Sequence, residues 1–435
     1  LKQRFSRRPP APPPSLRRPA TMPRHSVAGI LVRPFVPLAA TLLGAALARA
    51  EDTCANGSCG AGSAAESASG SANQNWVKMA EIYEYTSNAN PPMNEVPVRV
   101  FPPSIHQQGP SRAEALDLSK DLALAYPATA PNLLASFVRV LEGEQLDTGV
   151  EWATSQSFYV IRGAGASDTR AGRVEWREGD LFVLPYLGDD EPAVCEGAGR
   201  QCVRHACASE PRFGGCALYW VHDEPLLRYL GVRPVNTRRF EPALYPGDMM
   251  RQTVGAIPAV AEDGAVRNRR GILLANPATP QTRTLTPTLW SLLNSISGNA
   301  TQPPHRHNSV ALDLAVSGGD EGMVYTLLGR ELDAMGAIPN ATHCEWQSGG
   351  VFVTPPGWWH SHHNEGNSTA WVLPMQDAGL YTHQRTLDIR FVEEEAARLQ
   401  KGVNRGATHD CPDCNAVAAG AAPPLVAGTL MFGHA

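Results

Sequence analysis

The first 50 residues of this 435-residue chain contain no aspartate or glutamate, and no later stretch stays apolar long enough to span a bilayer as a helix. Positive charge is not in excess either: a net charge of -5 and a pI near 6.2 leave no basic surplus for binding nucleic acid. Histidine is missing between His106 and His205, so that interval cannot supply imidazole ligands to a metal. Glycine (39) and proline (37) are abundant, in a chain that is 43% hydrophobic. That combination suits many short strands joined by turns, and the length suits two domains.

The acid-free segment 1–50 is rich in Arg and Pro, with an apolar run from about Phe35 to Leu47 and the small-residue close Ala48-Arg49-Ala50. This layout predicts a secretory signal cleaved after Ala50, with Met22 the expected start. Arg-rich, acid-free segments also serve as organelle transit peptides, and a secretory signal can be the first half of a plastid address, so plastid and mitochondrion stay open. Residues 51–75 read as a flexible Ser/Ala/Gly-rich leader in which Cys54 and Cys59 bracket a turn. Residues 76–130 form an N-terminal arm, with an amphipathic helix predicted over 112–126 and stopped by Pro127. A strand-rich block follows over 131–234, then a connector over 235–283, a second strand-rich block over 284–391 and a tail over 392–435 with a short helix from Glu393.

Gly179-x5-Pro185 in the first block matches Gly349-x5-Pro355 in the second, and a strand ending in glycine precedes each at a similar distance. The two blocks therefore read as a duplicated domain. The chemistry lies in the second. His305 and His307 alternate along an extended segment, so their side chains share a face about 7 Å apart at the backbone. His360 follows the Pro355-Pro356-Gly357 turn that ends the apolar run Val351-Phe352-Val353. Three imidazoles so presented can hold one metal ion. Counting along the first block puts the corresponding places at Gly149 or Val150, Glu151 or Trp152, and about Asp190, so the first block cannot repeat the site.

The pattern His305-x-His307, then Gly349-x5-Pro355-x-Gly357-x2-His360-x3-Asn364, matches the two motifs of the cupin superfamily. Over about residues 130–391 the chain resembles, more narrowly, the two-cupin proteins related to gentisate 1,2-dioxygenase. The resemblance implies an all-β fold of two tandem cupin (jelly-roll β-barrel) domains with a few short peripheral helices. It also implies one Fe(II) ion on His305, His307 and His360, in a ring-cleaving dioxygenase that takes O2 and a small oxygenated aromatic acid. Other divalent transition metals suit the same ligands. Many cupins add a glutamate ligand, but here its place falls on Ala311 or Leu312, so all three ligands are neutral and the ion keeps its charge for a substrate anion.

An arginine commonly follows the Ala-Leu pair in the resembled family; here Asp313 stands there, and its charge would repel a substrate carboxylate. Asp313 is expected to turn outward into solvent, the other reading being a general acid or base. Tyr325, Trp358, Trp359, His362, Gln376 and His383 are further candidates for a pocket wall, with core packing the commoner fate of such side chains. By strand parity His362 shares the face of His360. Two other function classes stay open. One is a metal-dependent lyase or isomerase on a small polar metabolite, with Asp313, Tyr325 or His362 moving a proton; the other is a non-enzymatic metal-containing binding protein. Homo-oligomerisation is compatible with either.

Of nine cysteines, Cys195, Cys202, Cys207 and Cys216 crowd into an insertion of the first block. Two disulfides stapling that loop are expected, with a zinc knot including His205 as a second reading. Cys411 and Cys414 suggest a local disulfide, and Cys344 is left over as a free buried thiol. The glycosylation sequons at Asn56, Asn299, Asn340 and Asn367 agree with secretory entry.

Overall fold

A computed structural model describes residues 76–392, apart from 189–193, 196–200, 210–213, 236–237, 262–263, 265–266 and 268. The predicted signal, the leader with Cys54, Asn56 and Cys59, the place counted to Asp190, and the tail with its helix and Cys411 and Cys414 lie outside the described residues. The chain divides into two units after Asn90. In the first, the described residues form a helical turn, Tyr85–Asn88, whose start is capped by the Glu84 carboxylate accepting from the Thr86 and Ser87 backbone N–H groups.

The second unit is built of short strands. An arm contributes β1 (Val100–Phe101) and β2 (Arg112–Ala115). Eight strands follow: β3 (Leu134–Val140), β4 (Gln145–Val150), β5 (Ser155–Arg162), β6 (Ala164–Thr169), β7 (Gly172–Arg177), β8 (Leu181–Pro185), β9 (Gln201–Cys207) and β10 (Cys216–His222). After β11 (Ala243–Tyr245) and β12 (Arg270–Leu274), a second eight repeat the pattern: β13 (Trp290–Ile296), β14 (Ala300–His307), β15 (Ala311–Ser317), β16 (Val324–Gly329), β17 (Thr342–Glu345), β18 (Val351–Thr354), β19 (Trp359–Asn364) and β20 (Ala370–Gln376). β21 (Ile389–Phe391) closes the described part.

Pairing makes the duplication explicit. In the first set β8-β5-β10-β3 form one sheet and β4-β9-β6-β7 the other; in the second, β18-β15-β20-β13 and β14-β19-β16-β17 repeat both orders. Each pair of sheets encloses a jelly-roll barrel. The first sheet of each barrel gains a strand on either side, β11 and β2 in one, β1 and β12 in the other.

Strands with two covered faces read as continuous apolar runs, and here that covering is the other barrel. Every residue of β10 is buried: Leu218 and Trp220 face the interior of their own barrel, while Tyr219 and Val221 join the core that runs between the barrels. That shared core takes Leu312, Leu314, Val353 and Leu373 from the second barrel. Polar contacts across it come in matched pairs. Asn132 donates to the Asp377 carboxylate (2.7 Å), and Thr288 donates to that of Asp223 (2.8 Å). Both carboxylates sit at the end of the last barrel strand, and burial raises the pKa of each.

The helix predicted over 112–126 does not form. Residues 112–115 are β2, paired with β3 from Arg112 opposite Arg139 to Ala115 opposite Ser136, and only Ser119–Leu122 makes a helical turn. The open edge of β3 offers a backbone ladder that outweighs the weak helix preference of this stretch. Leu116 and Leu118, two residues apart, are buried in the manner of an extended segment.

Cys195 is bonded to Cys202 and Cys207 to Cys216, as the two-disulfide reading expects, and Cys344 is free and buried. His205 takes no part in a cysteine cluster; its ring is held between Ser167 and Thr148. No helix among the described residues is long and apolar enough to cross a membrane.

Candidate metal centre

β14 and β19 lie side by side in the second barrel with His305 opposite His360 and Gln302 opposite His362. Four imidazoles therefore converge on one wall. Ring centroids are 4.0 Å apart for His305 and His360, 5.0 Å for His307 and His360, and 5.6 Å for His305 and His362. The ligand nitrogens of His305, His360 and His362 all lie within 4.8 Å of one another. The rings line a cavity of about 400 Å³, closed on the opposite side by Asp313, Pro374 and Gln376 and at one end by Arg269, Ile389 and Phe391.

Hydrogen bonds divide these four rings into two kinds. The His307 Nδ1 faces the Ser309 carbonyl (2.9 Å) and the His360 Nδ1 faces the Trp358 carbonyl (3.2 Å). A carbonyl only accepts, so each Nδ1 carries the proton and each Nε2 keeps its lone pair for a metal. His305 Nδ1 is buried without a hydrogen-bond partner, an orphan that a metal or its ligands would satisfy.

His362 differs. Its Nδ1 faces the Thr326 hydroxyl (2.8 Å), which already accepts from the Trp346 indole N–H (2.8 Å). The fully buried hydroxyl has one hydrogen to give, and His362 Nδ1 is where it goes. The proton of His362 then sits on Nε2, making this ring a donor. Proximity alone groups His362 with His305 and His360, but protonation favours His307 as the third metal-competent ring.

All four rings are held in the neutral form, mainly by burial. The pKa falls to about 4 for His307 and about 3 for His362, and well below the ordinary value for His305 and His360, where the neighbouring imidazoles add to the effect. Neutral imidazoles are the form that binds metal, so the donor set fits a divalent transition ion.

Asp313 is not turned outward. It is buried on β15, lines the cavity from the sheet facing the histidines, and accepts at Oδ2 from Thr354 Oγ1 (2.6 Å). Burial pushes its carboxyl up to about 7. The solvated expectation fails because β15 has both faces covered, one by the interior and one by the first barrel. Tyr325 is not in the cavity: it stacks between His343 and His363 on the outer face of its sheet and donates to Glu365 (2.7 Å). Trp358, Trp359 and His383 also stay outside, the first two under Arg330 and Arg306, whereas Gln376 lines the wall. Sequence reading missed Arg269, which donates to the Pro303 carbonyl and lies 4.7 Å over the Phe391 ring. Nothing in the local sequence of the connector marks it as a wall residue.

No family model matches the chain, and no curated protein does. Solved structures do. A salicylate 1,2-dioxygenase variant from Pseudoaminobacter salicylatoxidans, in complex with gentisate, superposes with a TM-score of 0.52 at 12% identity, over 78% of this chain and 99% of that one. A further structure of salicylate 1,2-dioxygenase from Pseudaminobacter salicylatoxidans gives a TM-score of 0.52 at 13% identity, over 74% and 96%. The fold is that of a bicupin.

One arrangement occurs in both barrels. In the first barrel His205 Nδ1 faces the Ser167 hydroxyl (2.8 Å), which accepts from Trp176 Nε1 (2.8 Å), as His362, Thr326 and Trp346 do in the second. Taking His205 as the counterpart of His362 and following the strand registers, the counterparts of His305, His307 and His360 are Thr148, Val150 and Val203. The first barrel keeps this histidine although Thr148, Val150 and Val203 stand at the places of His305, His307 and His360, so the trio occurs without that histidine set.

Proposed function

We propose that the protein is a metal-dependent dioxygenase acting on a small aromatic acid, with His305, His307 and His360 holding one ion, Fe(II) in the first instance. The observation that carries this reading is the set of neutral imidazoles opening onto a cavity of about 400 Å³ with an arginine at its end. That volume admits a single substituted ring. The fold neighbours, named for salicylate and crystallised with gentisate, act on or bind acids of this kind. A redox-active divalent ion held by His305, His307 and His360 would supply electron transfer between a ring substrate and dioxygen.

The chain's own residues do the rest. Arg269 supplies fixed positive charge toward which a substrate carboxylate turns. His362 Nε2–H donates to a substrate or oxygen atom in the cavity. Phe391, Leu292 and Ile272 exclude water from the ring. The Ser309 hydroxyl donates to Gln376 Oε1 (2.8 Å) while its carbonyl holds His307, so the ligand ring is tied to the facing sheet. The disulfides of the first barrel support folding in an oxidising compartment, in keeping with secretory entry.

The test is metal content of the purified protein together with oxygen uptake over a panel of hydroxylated benzoates. One transition ion per chain and stoichiometric oxygen consumption with at least one ring acid are expected. Turnover that proceeds equally without oxygen would move the protein to the lyase or isomerase class.

A further inference from the structure

Within the cavity wall the described residues include one acid, Asp313, and one arginine, Arg269. Asp313 stands in the middle of β15, opposite Pro374 on β20 and Phe352 on β18, on the sheet that faces the histidines. Arg269 instead donates to the Pro303 carbonyl on the histidine strand β14 and lies over Phe391 of β21, which belongs to the histidine sheet. The two charges therefore occupy different parts of one chamber. Facing sheets in such a barrel stand about 10 Å apart, which is the span of one substituted ring with a polar group at each side.

Asp313 is provided for on one oxygen only. Thr354 Oγ1 donates to Oδ2, and Oδ1 has no hydrogen-bond partner among the described residues, although the side chain is buried. A carboxyl oxygen left open on the cavity wall is a site for a donor. The first barrel shows that the fold does not need an acid here: Phe158, paired with Phe182 as Asp313 is with Phe352, fills the same place with a ring.

Resting on the dioxygenase reading above, we propose that Asp313 determines specificity. It selects a ring acid that carries a hydrogen-bond donor, an amino or hydroxyl group, on the side away from the carboxylate that turns toward Arg269, and it rejects a second acid group there. The donor N–H or O–H bonds to Asp313 Oδ1; a carboxylate in that place meets like charge in a water-poor chamber.

The experiment is anaerobic binding at pH 8, where Asp313 is charged, by titration calorimetry on the metal-loaded protein, of salicylate and its 5-amino, 5-hydroxy and 5-carboxy derivatives. Wild-type protein is expected to bind the amino and hydroxy probes at least about tenfold tighter than the carboxy probe. Asp313→Asn is expected to narrow that ratio to within about threefold, and Asp313→Arg to reverse it. Equal wild-type affinity for the amino and carboxy probes, or an unchanged ratio in Asp313→Asn, overturns the proposal while leaving the dioxygenase reading standing. If no probe binds wild-type protein, the aromatic-acid reading falls, and this assignment with it. The wild-type ranking decides the matter even if a variant fails to fold.

Discussion

The two barrels have the same strand order and opposite interiors. In the first, Phe158 stacks on Phe182 (4.9 Å) and Trp220 (5.5 Å), and with Val150, Val203 and Leu218 these rings fill the space between the sheets. The recess lined by Gln156, Leu184, Gln201 and Val203 holds about 20 Å³. In the second, Asp313 replaces the central phenylalanine, histidines replace Thr148, Val150 and Val203, and the space stays open at about 400 Å³. What teaches most is the feature they share. The histidine, hydroxyl and tryptophan trio survives in both, so it belongs to barrel construction, and in the second barrel that leaves His362 Nε2–H as a donor facing the cavity.

The largest effect should come from removing a ligand from the open barrel. His360→Ala is expected to strip the bound metal and, with it, oxygen uptake, while keeping a cooperative thermal transition; metal analysis of the purified variant checks this. The same truncation of His205 should leave metal content unchanged. If it also emptied the site, the separation between the barrels would fail.

Phe158→Ala should cost about 3–5 kcal/mol of stability, because it empties the centre of a packed interior, with no change in metal stoichiometry. Denaturant melts measure it. A loss below about 1 kcal/mol would mean that the first barrel is less solid than its stacking indicates.

Asp313→Asn sharpens the contrast through pH. In the folded protein the Asp313 pKa lies at about 7, against an ordinary 3.8, so between those values the folded chain holds a proton that the unfolded chain has released. Stability from this group is therefore full below about 4 and drains as pH rises through 7. The asparagine variant should be the more stable protein at pH 8, by an amount on the order of a few kcal/mol, and nearly equal to wild type at pH 4. Parallel melts at the two pH values would expose a sign error at once.

The smallest effect is expected at Ser309. Ser309→Ala keeps the carbonyl that holds His307 Nδ1 but removes the tie to Gln376, and should weaken metal affinity roughly tenfold. Competition with a chelator reads it, and Thr148→Ala in the first barrel serves as the unaffected control.

Much of this was legible in order and spacing. The glycine and proline anchors at Gly179, Pro185, Gly349 and Pro355 recur because each ends or begins the same barrel strand, so the duplication and the all-β fold could be read directly. The shared face of His305 and His307 could also be read, since strand parity is a local property. Counting failed where an insertion intervened: the partner of His360 was sought near Asp190, but the strand resumes only at Gln201. It failed again at 112–126, where Leu116 and Leu118 suit a strand as well as a helix, and the free edge of β3 made the choice.

By itself, then, the sequence determined what repeats along a strand: alternation, turn residues and the histidine register, all set within a few residues of backbone. Tertiary structure alone decided what depends on a second element. It buried Asp313 by covering β15 on both faces, sent Tyr325 to the outside, and brought Arg269 from the connector to the end of the cavity. It also fixed the proton of His362, because the hydroxyl that sets it stands on another strand and is itself held by a tryptophan. Such contacts join residues far apart in the chain, and no local pattern records which of them will meet.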